Sequence, residues 1–238
     1  MNTILRDCII VYTHKSYHDV LDACMGRLHA HLGTLGVDII VFDNDEKYPN
    51  TILYDESKPY GERLRTCLEQ IKSSYDSCLF MHEDMILYQD INVEIIKKYF
   101  DLVKSECHSY VRLIRAEEDL IPTKIETLFA VPDNQLSFNI QPTIISIDSF
   151  IEFIEVMVDR SIYSIEQVSG NYLTAMGYLM YVSYNNELKR GMHHYDSNIF
   201  PYIATAINKG KWNTTEYKNE ISNLAAEYKI DLSIRGTV

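Results

Sequence analysis

The sequence predicts an α/β protein built on a mostly parallel, doubly wound sheet. Two observations carry this expectation. Short continuous apolar runs, the first being "CIIVY" at 8–12, suit strands buried on both faces. Between these runs apolar residues recur at helical spacing, and strand–helix alternation of that kind winds a parallel sheet with helices on its faces. The alternation holds to residue 115 and then gives way to an irregular C-terminal half.

In order, "CIIVY" is followed by the polar turn "THKSY". Residues 16–34 then read as a helix with Val20, Leu21, Cys24, Leu28 and Leu32 on one face, ended by Gly33 and Gly36. "VDIIVFD" at 37–43 is a second strand running into Asp43-Asn44-Asp45-Glu46, and "NTILYDE" at 50–56 a third. A helix over 62–74 carries Leu64, Cys67, Leu68 and Ile71 at i, i+3, i+4 and i+7. A strand at 77–82 follows. The helical spacing then returns over 90–106 in Ile96, Tyr99, Phe100 and Val103, and a strand occupies 109–115.

Residues 123–147 read as short strands and turns. Helices are expected over 148–160, with Asp148 as cap, and over 164–179, with a strand at 180–186. An aromatic-rich loop covers 189–213, and a closing helix over 214–230 has Thr214 or Thr215 at its cap. No repeat, low-complexity segment or linker interrupts the chain. It reads as one domain, 1–238, with halves 1–115 and 116–238.

The 238 residues are 46% hydrophobic and 24% charged, enough apolar material for a sizeable core. The formal net charge of −12 argues against nucleic acid as a partner and requires a local cation to hold any anionic ligand. The five cysteines, an odd number without CxxC spacing, suit reduced thiols. With no signal-like segment and no stretch long enough for a transmembrane span, they point to the cytoplasm.

Three strand ends collect polar residues: Thr13-His14-Lys15, Asp43 to Glu46, and His82-Glu83-Asp84. In open α/β sheets ligands bind at the carboxyl ends of the strands. The acids of "FMHEDMIL" interrupt an apolar run, so they mark either a solvated strand end or a site for something positive. Hard divalent cations take one or two carboxylates plus substrate phosphates. Neighbouring strand residues face opposite ways, which makes Asp84 the chosen ligand. "NKGKWN" sets Lys209 and Lys211 around a glycine, either a phosphate clamp or a solvated turn. "GMHHYDS" brings together His193, His194 and Asp196, three residues of metal-ligating type.

The stretch "ERLRTCLEQIKSSYDSCLFMHEDMIL" resembles the heart of a GT-A glycosyltransferase, of the small type found in bacteria, phages and large DNA viruses. There a helix with Gly61 and Arg63 precedes a strand ending in an acidic, DxD-like motif, here His82-Glu83-Asp84. The resemblance covers about the first 115 residues in order. It implies a GT-A-like sheet, related to the Rossmann fold, with an irregular acceptor-side region. It also implies transfer of a hexosyl or pentosyl group from a UDP, GDP or dTDP sugar to a saccharide hydroxyl. Mn²⁺ or Mg²⁺ would sit on Asp84, with His194 as a further ligand. Thr13, His14 and Asp43 would meet the nucleoside, and Arg63, His82, Glu83, Lys209 and Lys211 the diphosphate sugar. For Arg63 a surface pair with Glu62 or Glu69 serves equally well.

An inverting transferase needs a base for the acceptor hydroxyl, and the resemblance implies Glu166; the helix dipole also favours an acid there. "FNIQPTIIS" at 138–146 with Tyr163, Tyr172 and Tyr195 suits an acceptor platform. Two other readings stand beside transfer of a sugar. A nucleotidyltransferase shares the α/β acidic-site design, but "THKSYHDV" lacks the glycine-rich loop such enzymes carry after the first strand. The other is a non-catalytic nucleotide-sugar or carbohydrate binder. No G-x-S-x-G elbow and no Walker loop is present.

Overall fold

The computed structural model describes residues 6–190 and 194–238. The N-terminal half runs β1 (Arg6–Tyr12), a short 3-10 turn (Lys15–Tyr17), α1 (His18–His31), β2 (Asp38–Asp43), β3 (Thr51–Leu53) and α2 (Tyr60–Ile71). It continues through β4 (Tyr75–His82), β5 (Ile86–Leu87), α3 (Val93–Ser105) and β6 (Ser109–Arg112). Then come β7 (Ile121–Pro122), β8 (Leu128–Ala130), β9 (Thr143–Ser146), α4 (Ile147–Glu155), α5 (Ile162–Ala175) and β10 (Leu179–Ser183). The closing region holds β11 (Lys189–Arg190), β12 (His194–Tyr195), β13 (Tyr202–Ile203), β14 (Ile207–Asn208), β15 (Lys211–Trp212), α6 (Lys218–Tyr228) and α7 (Leu232–Arg235).

Among the described residues, nine strands form one sheet in the order β3-β2-β1-β4-β9-β6-β10-β8-β7. β1 pairs in parallel with β2 and β4, β2 with β3, and β6 with β10. β9 runs antiparallel between β4 and β6, and β8 antiparallel to β10 and β7. The sheet is therefore mostly parallel in direction, as the alternation predicts. The C-terminal half does more than pack against the first: it inserts β9 into the middle of the sheet and extends it through β10, β8 and β7.

Apolar pattern sets this core. Cys8, Ile9, Ile10 and Val11 are all fully buried, so both faces of β1 are covered. The stripes expected on α2 and α3 are buried as a set: Leu64, Cys67, Leu68 and Ile71, then Ile96, Tyr99, Phe100 and Val103. Three helix starts differ from expectation. α4 is capped two residues earlier than expected, the Ser146 hydroxyl accepting from the Ser149 amide, because β9 runs straight into it. α5 likewise starts at Ile162, its Ser161 cap accepting from the Ser164 amide. Neither Thr214 nor Thr215 caps α6, which starts only at Lys218; Asn213 Oδ1 instead accepts the Glu216 amide in a turn ahead of it.

Two features place the site. Gly61 lets α2 approach the chain after α4, where its amide donates to Arg160 O at 3.2 Å. A Cβ at Gly61 would stand 2.1 Å from Met157 O. Beyond β4, β5 pairs with β13, and the Ala206 amide donates to Asp84 O at 3.0 Å. These bonds draw the late hairpin β14–β15 over the acidic strand end. Its turn uses positive φ at Lys209 (52°) and Gly210 (79°), as two-residue hairpins require.

Candidate active site

The carboxyl ends of β1, β3 and β4 meet in a cleft of about 480 Å³. Thr13 and His14 enter it from β1, Tyr54 from β3, and His82, Glu83 and Asp84 from β4. Tyr60 and Arg63 come from α2, Tyr163 from α5, and Lys209 and Gly210 from the hairpin tip.

The floor is aromatic. The Tyr12 ring stacks on Tyr54 at 5.1 Å with a 3° interplanar angle, and on His82 at 5.2 Å and 22°. Tyr60 tilts against Tyr12 at 4.8 Å. Burial pushes the Tyr12 phenol up to about 12 and the Tyr60 phenol well above its ordinary value. Burial also lowers His82 to about 3, so its ring is neutral. Tyr60 OH lies 2.9 Å from His82 Nε2, a hydrogen bond between two neutral groups. Tyr54 OH donates to Thr13 O at 2.7 Å.

At the back stand the two acids, Glu83 buried and Asp84 half-buried. Burial, then the Asp84 charge beside it, raises Glu83 well above the usual carboxylate range. Burial raises Asp84 to about 6 against the pull of the Ile207 amide and its own. Among the described residues no Lys, Arg or His nitrogen lies within ion-pair distance of either carboxylate. The buried Thr13 hydroxyl lies beside Glu83 and pulls its carboxyl down, too weakly to offset burial and the Asp84 charge. Buried acids without a counter-charge are costly, and a cation would compensate them. Among the described residues no three His, Cys, Asp or Glu side chains form a complete metal cage. Two carboxylate donors instead fit a hard cation that completes its shell with phosphate and water.

The cationic groups sit on the rim. Arg63 covers Tyr54 at 5.3 Å and is braced by bonds from Nε to Lys58 O (2.6 Å) and from Nη2 to Glu56 O (2.5 Å), not by Glu62 or Glu69. His14 Nε2 lies 3.1 Å from Glu56 Oε1. Lys209 reaches the cleft, whereas Lys211 sits exposed on β15 outside it.

Other sequence expectations meet a different geometry. Asp43 is fully buried and does not line the cleft: Oδ2 lies 2.6 Å from His18 Nε2, and Oδ1 accepts the Asn44 amide at 2.7 Å. Glu166 and His194 line a second cleft, of about 560 Å³, so the structure does not bring His194 to Asp84. His194 Nε2 lies 2.7 Å from Tyr217 OH, which holds the ring on that side. His193 lies outside the described residues, and Asp196 binds Arg190 Nε at 2.6 Å. The three acceptor tyrosines do not converge: Tyr163 lines the first cleft, Tyr195 packs on Tyr184 under Arg115, and Tyr172 lines neither cleft.

The two clefts are neighbours. On the hairpin, Lys209 lines the first and Asn208 the second; on α5, Tyr163 lines the first and Glu166 the second. Glu166 Oε1 accepts the Ile140 amide at 2.8 Å, which fixes the carboxylate, while Oε2 makes no hydrogen bond among the described residues. The residues that sequence reasoning missed are Tyr12, Tyr54 and Tyr60 in the first cleft and Arg112 in the second. The one available signal was Tyr12 closing the first apolar run next to Thr13.

No protein-family model and no curated protein matches the chain. Among solved structures it is similar to a nucleotidyl transferase from Methanothermobacter thermautotroptrophicus, at a TM-score of 0.45 and 11% identity, over 78% of this chain and 88% of that one. It is also similar to a CMP:2-keto-3-deoxy-manno-octonic acid synthetase complexed with CTP, at a TM-score of 0.47 and 8% identity, over 76% of this chain and 90% of that one. These figures describe a distant likeness of α/β architecture, and the fold class rests on the sheet itself.

Proposed function

We propose that the chain transfers a glycosyl group from a nucleoside-diphosphate sugar to a hydroxyl acceptor. The observation that supports this reading is the pair of uncompensated acids, Glu83 and Asp84, in one strand-end cleft with an aromatic floor and a rim of His14, Arg63 and Lys209. The donor has parts to match. Flat tyrosine faces suit a base or sugar ring, and Arg63 and Lys209 on the rim suit a diphosphate.

Mg²⁺ or Mn²⁺ would be held by Asp84 with Glu83 beside it, and when bound it supplies positive charge where the diphosphate departs. The protein's own groups do the rest. Arg63 and Lys209 take diphosphate charge, and the neutral Tyr60–His82 pair holds the acidic strand end in place. The acceptor oxygen forms its bond to the anomeric carbon as the bond from that carbon to the diphosphate oxygen breaks. The broken bond's electron pair leaves with the nucleoside diphosphate, and the hydroxyl proton passes to Glu166.

Thermal unfolding with UDP-, GDP- and dTDP-sugars and with nucleoside triphosphates, each with and without Mn²⁺, tests this. A ligand at a hundred times its Kd adds about 2.7 kcal/mol to stability. Stabilisation by one nucleotide sugar, larger with Mn²⁺, is expected. No response to any of them contradicts the proposal, as does a response confined to nucleoside triphosphates, which indicates nucleotidyl transfer.

A further inference from the structure

The second cleft contains a feature that the donor reading leaves unused. Arg112, at the end of β6, lines its floor and is 1% exposed. Its Nε donates to Ile114 O at 3.1 Å and its Nη2 pairs with the buried Glu117. Its Nη1 has no hydrogen-bond partner among the described residues. A guanidinium N–H left unpaired at this depth costs a desolvation penalty that an acceptor atom in the cleft would remove.

The charges facing the cleft decide what kind of acceptor fits. Glu117 already neutralises Arg112, and the lining adds Glu166, Glu216 and His194. An incoming anion would meet those two carboxylates. An uncharged oxygen would not. The remaining polar wall, including Asn139, Asn208 and Asn213, offers amide donors and acceptors together. A polyhydroxyl compound, each of whose hydroxyls both gives and takes a hydrogen bond, matches such a wall. Among the described residues no Tyr, Phe or Trp lines the cleft, so hydrogen bonds would carry recognition.

We infer that this cleft binds an uncharged saccharide, anchored by Arg112 Nη1, and that Arg112 determines specificity for neutral over anionic sugars. That the bound saccharide is the acceptor rests on the proposed function and on the shared walls, Asn208 beside Lys209 and Glu166 one turn from Tyr163. The binding itself does not rest on that function.

The test is NMR titration of the whole chain with glucose, galactose, N-acetylglucosamine and lactose, against glucuronate and glucose 6-phosphate, following the side-chain amides of Asn139, Asn208 and Asn213. A neutral sugar should shift these signals with a Kd on the order of 1 mM, more tightly than either anion. Arg112→Lys should weaken it about tenfold and reduce the preference over glucuronate. Because a change at a buried ion pair risks the fold, Asn139→Ala and Asn208→Ala provide a second reading, each expected to weaken binding in a folded protein. Absence of shifts with every neutral sugar, or tighter binding of glucuronate or glucose 6-phosphate at these amides, overturns the inference. UDP and GDP, read at Tyr163 and Lys209, report the first cleft separately. Saccharide shifts without any nucleotide response would uphold the second site while the donor reading falls.

Discussion

Tyr60 OH lies 2.9 Å from His82 Nε2 and ties the first turn of α2 to the strand end that carries Glu83 and Asp84. Burial keeps both groups neutral, so this is a hydrogen bond between uncharged groups. Tyr60→Phe leaves the buried Nε2 without its hydrogen-bond partner and should cost about 1–3 kcal/mol in urea unfolding. It should also weaken nucleotide-sugar binding, since the acids lose their brace. An unchanged midpoint would show that the bond contributes nothing.

Gly61 tests how α2 is seated. A Cβ there meets a backbone carbonyl, Met157 O, which cannot rotate away as a side-chain tip would. Gly61→Ala should therefore destabilise by about 1–3 kcal/mol despite the better helix propensity of alanine. Calorimetric melting of the variant checks this, and a raised Tm would refute the close approach.

Lys209 tests the cationic rim without touching the core. It caps an exposed hairpin and makes no hydrogen bond or ion pair through its side chain among the described residues. Lys209→Met should weaken nucleoside-diphosphate binding about tenfold, by loss of one charge-assisted contact. Stability should stay within about 0.5 kcal/mol. Isothermal titration with UDP and GDP reads the first quantity and urea unfolding the second.

Asp19 links the start of α1 to the last helix, α7, through Arg235, whose Nε donates to Oδ2 at 2.7 Å. Partial burial pushes the Asp19 carboxyl up, but the Arg235 bonds and charge and the Val20 amide outweigh it, and the net direction is down. A carboxyl lowered on folding stabilises the fold above its unfolded value of about 3.9 and loses that contribution as the pH falls through the folded value. Asp19→Asn should thus lower the urea midpoint at pH 7 and make little difference in strong acid. An equal loss at both pH values would contradict the linkage.

Much of the fold is legible in sequence because its signals are local. "CIIVY" and the stripes of α2 and α3 need only period and hydrophobicity. The acidic strand end is visible because Glu83 and Asp84 interrupt an apolar run. The aromatic floor is not, because it depends on strand order. Tyr12 meets His82 only because β1 and β4 are neighbours in register, Tyr12 opposite His82. Asp43 looked available at its strand end, but His18, just inside α1, folds back onto it. The GT-A resemblance made His194 and Asp84 partners, yet they line different clefts.

Nucleoside-diphosphate release tests the central proposal most directly. The wild-type chain and Asp84→Asn would be incubated with UDP-, GDP- and dTDP-sugars, Mn²⁺ and a neutral saccharide. The expected result is release of one nucleoside diphosphate with formation of a glycosylated saccharide, and a loss of about a hundredfold or more in Asp84→Asn. Full release in Asp84→Asn, or pyrophosphate formed from a nucleoside triphosphate and a sugar 1-phosphate with no transfer from any nucleotide sugar, would contradict it.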